Sequence, residues 1–192
     1  EVSIGAEIVE ADALVVVSHF KCHELTGFGG ALKNLGMGCA SREGKLSQHS
    51  TVAPRVAVRY CDACGQCLKA CIHGAITVAE ENAWIDPDKC AGCGRCITIC
   101  PQKAISVQWN EASRTIMQKI SEHALGAVKG KEEKIIFLNF ITQVSPDCDC
   151  NGHADAPIVG DIGICAATDP VALDQACADL VNAAPGSPGS AL

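Results

Sequence analysis

Two runs of four cysteines constrain this chain of 192 residues more than any other feature of its sequence. The segment YCDACGQCLKACIHGAITV, residues 60–78, realigns on KCAGCGRCITICPQKAISV, residues 89–107, with a constant offset of 29 residues. Each segment has the spacing C-x2-C-x2-C-x3-C and then a shared Ala-Ile-x-Val tail. Cysteines in register with a common tail indicate an internal duplication. The repeated cysteines are Cys61, Cys64, Cys67, Cys71, Cys90, Cys93, Cys96 and Cys100.

This spacing predicts two [4Fe–4S] clusters. Three cysteines separated by two residues can wrap three corners of one iron–sulfur cube, and Gly65, Gly92 and Gly94 permit the tight turn. In bacterial two-cluster ferredoxins the fourth cysteine of each run ligates the cluster of the other run. We therefore expect cluster one to be held by Cys61, Cys64, Cys67 and Cys100, and cluster two by Cys90, Cys93, Cys96 and Cys71.

Zinc is the alternative metal for paired C-x2-C motifs, but it does not call for duplicated four-cysteine runs followed by proline. Pro101 follows the second run, whereas Ile72 takes the corresponding place after the first. That departure alters the packing and water access around a cluster, which influence its reduction potential, and it removes no ligand.

Composition and charge limit the setting of the protein. A net charge of −7 argues against nucleic acid or an anionic membrane as the main partner. Eight of the 14 cysteines have metal-binding spacing, so we expect a reducing, cytoplasmic compartment and not a disulfide framework. No secretory signal or run of transmembrane length is visible in the sequence.

The segments on either side of the repeat predict an α/β fold. Residues 13–18 and 134–141 are apolar, β-branched runs typical of buried strands, and we expect them to be central strands of one sheet. PIVGDIGIC suggests another buried strand. Phe28, Leu32 and Leu35 recur at helical spacing and predict a helix that ends at GMGC. Helices are also predicted from about Glu111 to Lys129, and after Asp169 as N-cap with Pro170 at the first helical position. The residues from Cys39 to Pro54 are predicted to be mostly loop. We therefore expect an α/β host, residues 1–57 and 110–192, with an inserted α+β two-cluster ferredoxin-type domain at residues 58–109.

The flanking segments also resemble a known family. SHFKCHELTGFGGALKNLGMGCASREGKL before the repeat and DCDCNGHADAPIVGDIGICAATDPVALDQACADLV after it are similar to the uncharacterised iron–sulfur-centre proteins. The resemblance implies a domain of unknown function interrupted by a ferredoxin segment, and it leaves the reaction open. Cys22 departs from the small residue more usual there. Members are usually longer at both ends, and this chain ends in the turn-like APGSPGSAL, so we expect it to be part of a longer polypeptide.

Other polar motifs raise weaker hypotheses. Cys148 and Cys150 form a C-x-C that, together with Cys39, is hypothesised to hold a third metal or cluster. His19, Lys21 and His23 lie together in one loop, where they either bind an anion or metal or are simply solvated. GFGGAL lacks the third glycine of a dinucleotide fingerprint, so its glycines are expected to permit a tight turn or the close approach of another segment. Cys165 and Cys177 are expected to be packing thiols.

The function predicted from these features is electron transfer between redox partner proteins through two clusters. One alternative is a cluster-fed oxidoreductase with its active site in the α/β host, because a simple carrier would not need that host. Another is a redox subunit of a larger complex.

Overall fold

The computed structural model describes residues 2–153 and 155–187, a mixed α/β fold with several small sheets. The last five residues of the predicted C-terminal turn segment lie outside the described residues. The described strands are β1 (Leu14–His19), β2 (Lys21–His23), β3 (Gly27–Gly29), β4 (Arg55–Val56), β5 (Ile76–Val78), β6 (Ala83–Ile85), β7 (Ile105–Ser106), β8 (Ile135–Ile141) and β9 (Gly163–Ala167). The described α-helices are α1 (Ala6–Glu10), α2 (Ala31–Lys33), α3 (Arg42–His49), α4 (Gln66–Ala70), α5 (Arg95–Ile99), α6 (Ser113–Val128) and α7 (Pro170–Ala183).

The chain divides into two compact units. The first unit joins the segment ending at Ala40 to the segment starting at Ser113, and the second unit is Ser41–Ala112. The second unit includes residues 58–109, the range expected for the insert, and is longer than that range at both ends.

A three-stranded sheet organises the first unit. Its strand order is β1-β8-β9, with β1 parallel and β9 antiparallel to β8. The two β-branched runs pair directly, from Leu14 opposite Ile135 to His19 opposite Phe140, so they belong to one sheet as predicted. However, β1 is an edge strand and not a central one. The strand predicted in PIVGDIGIC begins only at Gly163.

The helices cover one face of this sheet. Helix α7 begins as predicted, with the Asp169 carboxylate accepting hydrogen bonds from two backbone N–H groups of the first turn. Leu173 and Cys177 are buried, whereas Leu180, which helical periodicity places inward, is 42% exposed. The first unit's core also takes in Phe20 and Phe137, and the buried face of α6.

The Gly-rich segment forms different elements from those expected. Phe28 belongs to β3 in a short antiparallel hairpin with β2, and helix begins only at Ala31. The helix then continues as a π-helix over Asn34–Gly38, so it includes the glycines that were expected to end it. Only a glycine fits at position 36 of this helix, because a Cβ there would clash with the Ile120 carbonyl oxygen of α6.

The second unit contains a helix that the sequence did not predict. Helix α3 occupies half of the segment from Cys39 to Pro54, which was expected to be mostly loop. The Ser41 hydroxyl caps it by accepting a hydrogen bond from the Gly44 N–H, and Leu46 is buried. The helix is polar overall, which is why its apolar periodicity is weak.

The rest of the second unit follows the repeat. Strand β5 pairs with β6, and β7 pairs with β4, which precedes the first cysteine run. The two ends of this region run side by side: the Gln108 side-chain amide donates to the Ala53 carbonyl, and the rings of His49 and Trp109 are 4.8 Å apart. The chain therefore enters and leaves the duplicated region at neighbouring positions.

Candidate functional site

The duplicated cysteine runs share one backbone turn. Short helices α4 and α5 begin at equivalent positions, each after a glycine with positive φ. Two further pairs of equivalent positions also have positive φ, including two non-glycine residues, for which this conformation is uncommon. The three pairs are Ala63 and Gly92, Gly65 and Gly94, and Gly74 and Lys103. The chain therefore folds the same turn twice.

Two cavities in the second unit are lined by four cysteines each. One is lined by Cys61, Cys64, Cys67 and Cys100. The other is lined by Cys90, Cys93, Cys96 and Cys71. Each cavity thus combines the first three cysteines of one run with the fourth cysteine of the other.

The fourth cysteine of each run is held in the same way. Cys71 directly follows α4 and Cys100 directly follows α5. The Ala75 N–H donates a hydrogen bond to the Cys71 sulfur at 3.4 Å, and the Ala104 N–H donates to the Cys100 sulfur at 3.3 Å. A hydrogen bond donated to sulfur favours the thiolate, which is the form that binds metal.

The third cysteine of each run is buried. Cys67 and Cys96 belong to the second unit's apolar core, with Ile76, Ile85 and Ile105. Burial raises the pKa of Cys67, and burial together with the neighbouring thiols raises the pKa of Cys96 to about 11. These sulfurs would stay protonated near neutral pH unless a bound cation held them as thiolates.

The described His, Cys, Asp and Glu side chains are not grouped as the ligands of a single metal ion. Across residues 2–153 and 155–187, no three His, Cys, Asp or Glu side chains form a group that could hold one metal ion. A zinc ion needs its sulfur ligands to converge at about 2.3 Å from one point. In a four-iron cluster each thiolate binds a different iron, so the sulfurs stand apart. A zinc ion and a four-iron cluster therefore require different spacings of four sulfurs.

The hypothetical third site also lacks a group of side chains that could hold one metal ion among the described residues. Cys39, Cys148 and Cys150 are all described, and the structure does not bring them together as a metal-binding group. Cys39 packs against the first unit's core, and Cys148 is buried while Cys150 is exposed. The Cys148 sulfur also accepts a hydrogen bond from the Lys33 ammonium, at 3.6 Å.

Cys148 differs chemically from the other thiols. Its burial alone would raise its pKa, but hydrogen bonds from Cys150 and the positive charges of Lys33 and Lys21 outweigh burial and lower the pKa below its usual value. The hydrogen bond to Cys148 in turn raises the pKa of Cys150. The C-x-C is therefore an unequal pair, in which Cys148 is the sulfur that ionises first.

Asp149, between these cysteines, is a functional candidate that the sequence analysis missed. Its carboxylate accepts hydrogen bonds from Lys21 Nζ at 2.6 Å and from His19 Nδ1 at 3.0 Å. His19 Nε2 lies 2.7 Å from the Thr142 carbonyl oxygen. The two ring nitrogens of His19 therefore each face an oxygen acceptor, the Asp149 carboxylate on one side and the Thr142 carbonyl on the other.

The charge of Asp149 is stabilised by these partners. Partial burial would raise its pKa, but the hydrogen bonds and charges of Lys21 and His19 hold the pKa below its usual value. The group lies where the parallel strands β1 and β8 end, the edge at which α/β folds commonly place their sites. The surrounding C-x-C motif drew attention to the cysteines and not to Asp149, because the partners of Asp149 lie about 130 residues away in the sequence.

The buried carboxylate of Asp174 packs closely against the Gly-rich segment, which agrees with the prediction that these glycines permit the close approach of another segment. A Cβ on Gly30 would lie 2.3 Å from Asp174 Oδ1. Asp174 accepts hydrogen bonds from the Ala31 and Leu32 N–H groups at 2.7 and 2.9 Å, and from Asn139 Nδ2 at 2.7 Å. The N–H groups that a dinucleotide phosphate would use are therefore already taken.

These features define a cysteine-rich protein of mixed α/β fold, with a duplicated cysteine unit and a polar site at the end of a parallel strand pair. The chain belongs to the family described as Domain of unknown function (DUF362), whose sequence model matches residues 1–179. A search of curated proteins found no matching relative. None of the helices in the described part of the chain combines the length and apolar character needed to span a bilayer.

Proposed function

We propose that the second unit is a ferredoxin-type domain that binds two [4Fe–4S] clusters, and that the protein transfers electrons between redox partner proteins. The observation that carries the proposal is the composition of the two cavities. Each cavity takes three cysteines from one run and the fourth from the other, which is the ligand pattern of two-cluster ferredoxins.

The residues present fit such a cofactor. Cluster one would be held by Cys61, Cys64, Cys67 and Cys100, and cluster two by Cys90, Cys93, Cys96 and Cys71. When bound, each cluster accepts and releases single electrons. The chain's own contribution is to orient the thiolates by the repeated turn, to donate N–H groups to Cys71 and Cys100, and to surround the sulfurs with apolar side chains. Hydrogen bonding and burial of this kind tune reduction potentials.

A second candidate is a cluster-fed oxidoreductase, alone or as a subunit of a larger redox complex. The observation that favours it is the polar group of His19, Lys21 and Asp149 at the end of β1. Electron transfer through the cysteines of the second unit does not require this group. A substrate reduced by electrons from the second unit would bind there.

The experiment that tests the first proposal is a metal inventory of protein prepared without oxygen. We expect about eight irons and about eight acid-labile sulfides per chain, and an electron paramagnetic resonance spectrum of two interacting clusters after reduction. Cys165→Ala is a suitable control, because this cysteine lies in β9 of the first unit and lines neither cavity. Stoichiometric zinc with little iron would refute the proposal.

A further inference from the structure

A cavity of about 350 Å³ opens in the first unit at the carboxyl end of β1. It is lined by residues from the end of that strand, from the β2–β3 hairpin and from the π-helix, together with Asp149. This volume is within the range of small-molecule sites. π-Helical turns are frequent at functional sites, and Met37 and Gly38 of this one belong to the cavity wall.

The charged groups on the wall are mainly cationic. The wall holds two ammonium groups, of Lys21 and Lys33, and one carboxylate, of Asp149, so the lysines exceed the carboxylate by one charge. The Asp149 oxygens already accept from Lys21 and His19, so this carboxylate is neutralised within the wall. The Lys21 side chain is only 14% exposed, so it is not simply solvated. The excess is notable in a chain whose net charge is −7.

Lys33 is the lysine of the cavity wall that has no carboxylate partner among the described residues. Its ammonium has one partner among the described residues, the Cys148 sulfur at 3.6 Å, and no carboxylate within ion-pair distance. The chain nevertheless holds Lys33 in place. A Cβ on Gly29 would lie 3.1 Å from Lys33 Cδ, so the glycine leaves room for the lysine stem. Asn34, the next residue, donates to the Val17 carbonyl and the Ser18 hydroxyl at the end of β1.

We propose that this cavity binds a small organic anion, with the Lys33 and Lys21 ammonium groups holding its carboxylate or phosphate group. Val17 and Met37 provide an apolar wall for a compact carbon body. Asp149 is a positioning residue, because it anchors Lys21 and His19 and leaves Lys33 to the ligand. A dinucleotide does not suit the site, because Asp174 occupies the N–H groups of the adjacent short helix.

Titration calorimetry of the full chain at low ionic strength tests the proposal with two probes, inorganic phosphate and butyrate. We expect saturable binding of at least one probe, and the tighter one identifies the anionic group preferred. Lys33→Met keeps the apolar stem and removes the charge, so affinity should fall about tenfold or more. Raising the salt concentration should also weaken binding. Lys129→Met, which removes an exposed charge at the end of α6, should leave the affinity unchanged.

A second variant guards against misfolding of Lys33→Met. Met37→Glu adds a carboxylate to the cavity wall without removing a lysine, and it should weaken anion binding to a similar degree. Circular dichroism checks that both variants are folded. The proposal is overturned if neither probe binds, or if folded Lys33→Met and Met37→Glu bind as tightly as Lys129→Met. Neither result depends on cluster content, so the outcome is separate from that of the iron inventory.

Discussion

Removing cysteines in chosen pairs tests whether the ligands of the two proposed clusters cross between the runs. Cys71→Ala combined with Cys90→Ala removes two residues that line one cavity and leaves the other four cysteines untouched. Cys71→Ala combined with Cys61→Ala removes one residue from each cavity. Cys61 and Cys90 occupy equivalent positions of the repeat, so the two double variants remove the same number of matched cysteines.

The structure sets the expected magnitudes. The first double variant keeps one complete set of four cysteines, so it should retain about four irons per chain, half of the native content. The second keeps no complete set and should fall well below four. The mirror pairs provide a replicate: Cys100→Ala with Cys61→Ala should retain half, and Cys100→Ala with Cys90→Ala should not.

The assay is colorimetric iron and acid-labile sulfide on protein purified without oxygen, with far-ultraviolet circular dichroism to confirm folding. If the pattern were reversed, with Cys71 and Cys61 removable together at half the iron, each run would hold its own cluster. If both double variants lost all iron while folded, the two sites would not assemble independently. Either result would refute the reasoning from separate cavities.

Two further predictions concern the first unit. Asp174→Ala should destabilise the first unit severely, because three hydrogen bonds are lost and each buried donor left without a partner costs about 1–3 kcal/mol. Thermal unfolding should show a larger loss of stability than for Asn139→Ala, which removes only one of those donors. An equal loss of stability in the two variants would contradict this account. Asp149→Asn should cost no more than about 1 kcal/mol, because the carboxylate is half exposed. The folded-state pKa of Asp149 is lowered, so the stability difference between the native protein and this variant should be fully present above the unfolded pKa of about 4. The difference should vanish as the pH falls through the folded-state pKa. A difference that does not change with pH would count against the ion pair.

Local sequence was sufficient for the elements with strong periodic or capping signals. The β-branched runs of β1 and β8 and the Asp169-capped helix α7 formed where they were predicted, because each signal lies within a few consecutive residues. The duplicated turn is equally local, since its glycines and cysteines span about a dozen residues. Helix α3 was missed because its N-cap Ser41 precedes a polar segment in which few residues are buried. Its helical state depends on packing within the second unit.

The polar site depended on contacts that no local pattern encodes. His19 and Asp149 are 130 positions apart, and Asp174 meets the N–H of Ala31 across 143 positions. Such pairs form because the parallel pairing of β1 with β8 brings the ends of the two strands to the same edge, which depends on sheet order and register. The sequence alone therefore determined the duplicated cysteine runs, the strands β1 and β8, and the Asp169 cap of α7. Only the tertiary structure decided that Lys33 meets Cys148, that β1 is an edge strand, and that Asp149 neutralises Lys21, because these follow from long-range packing.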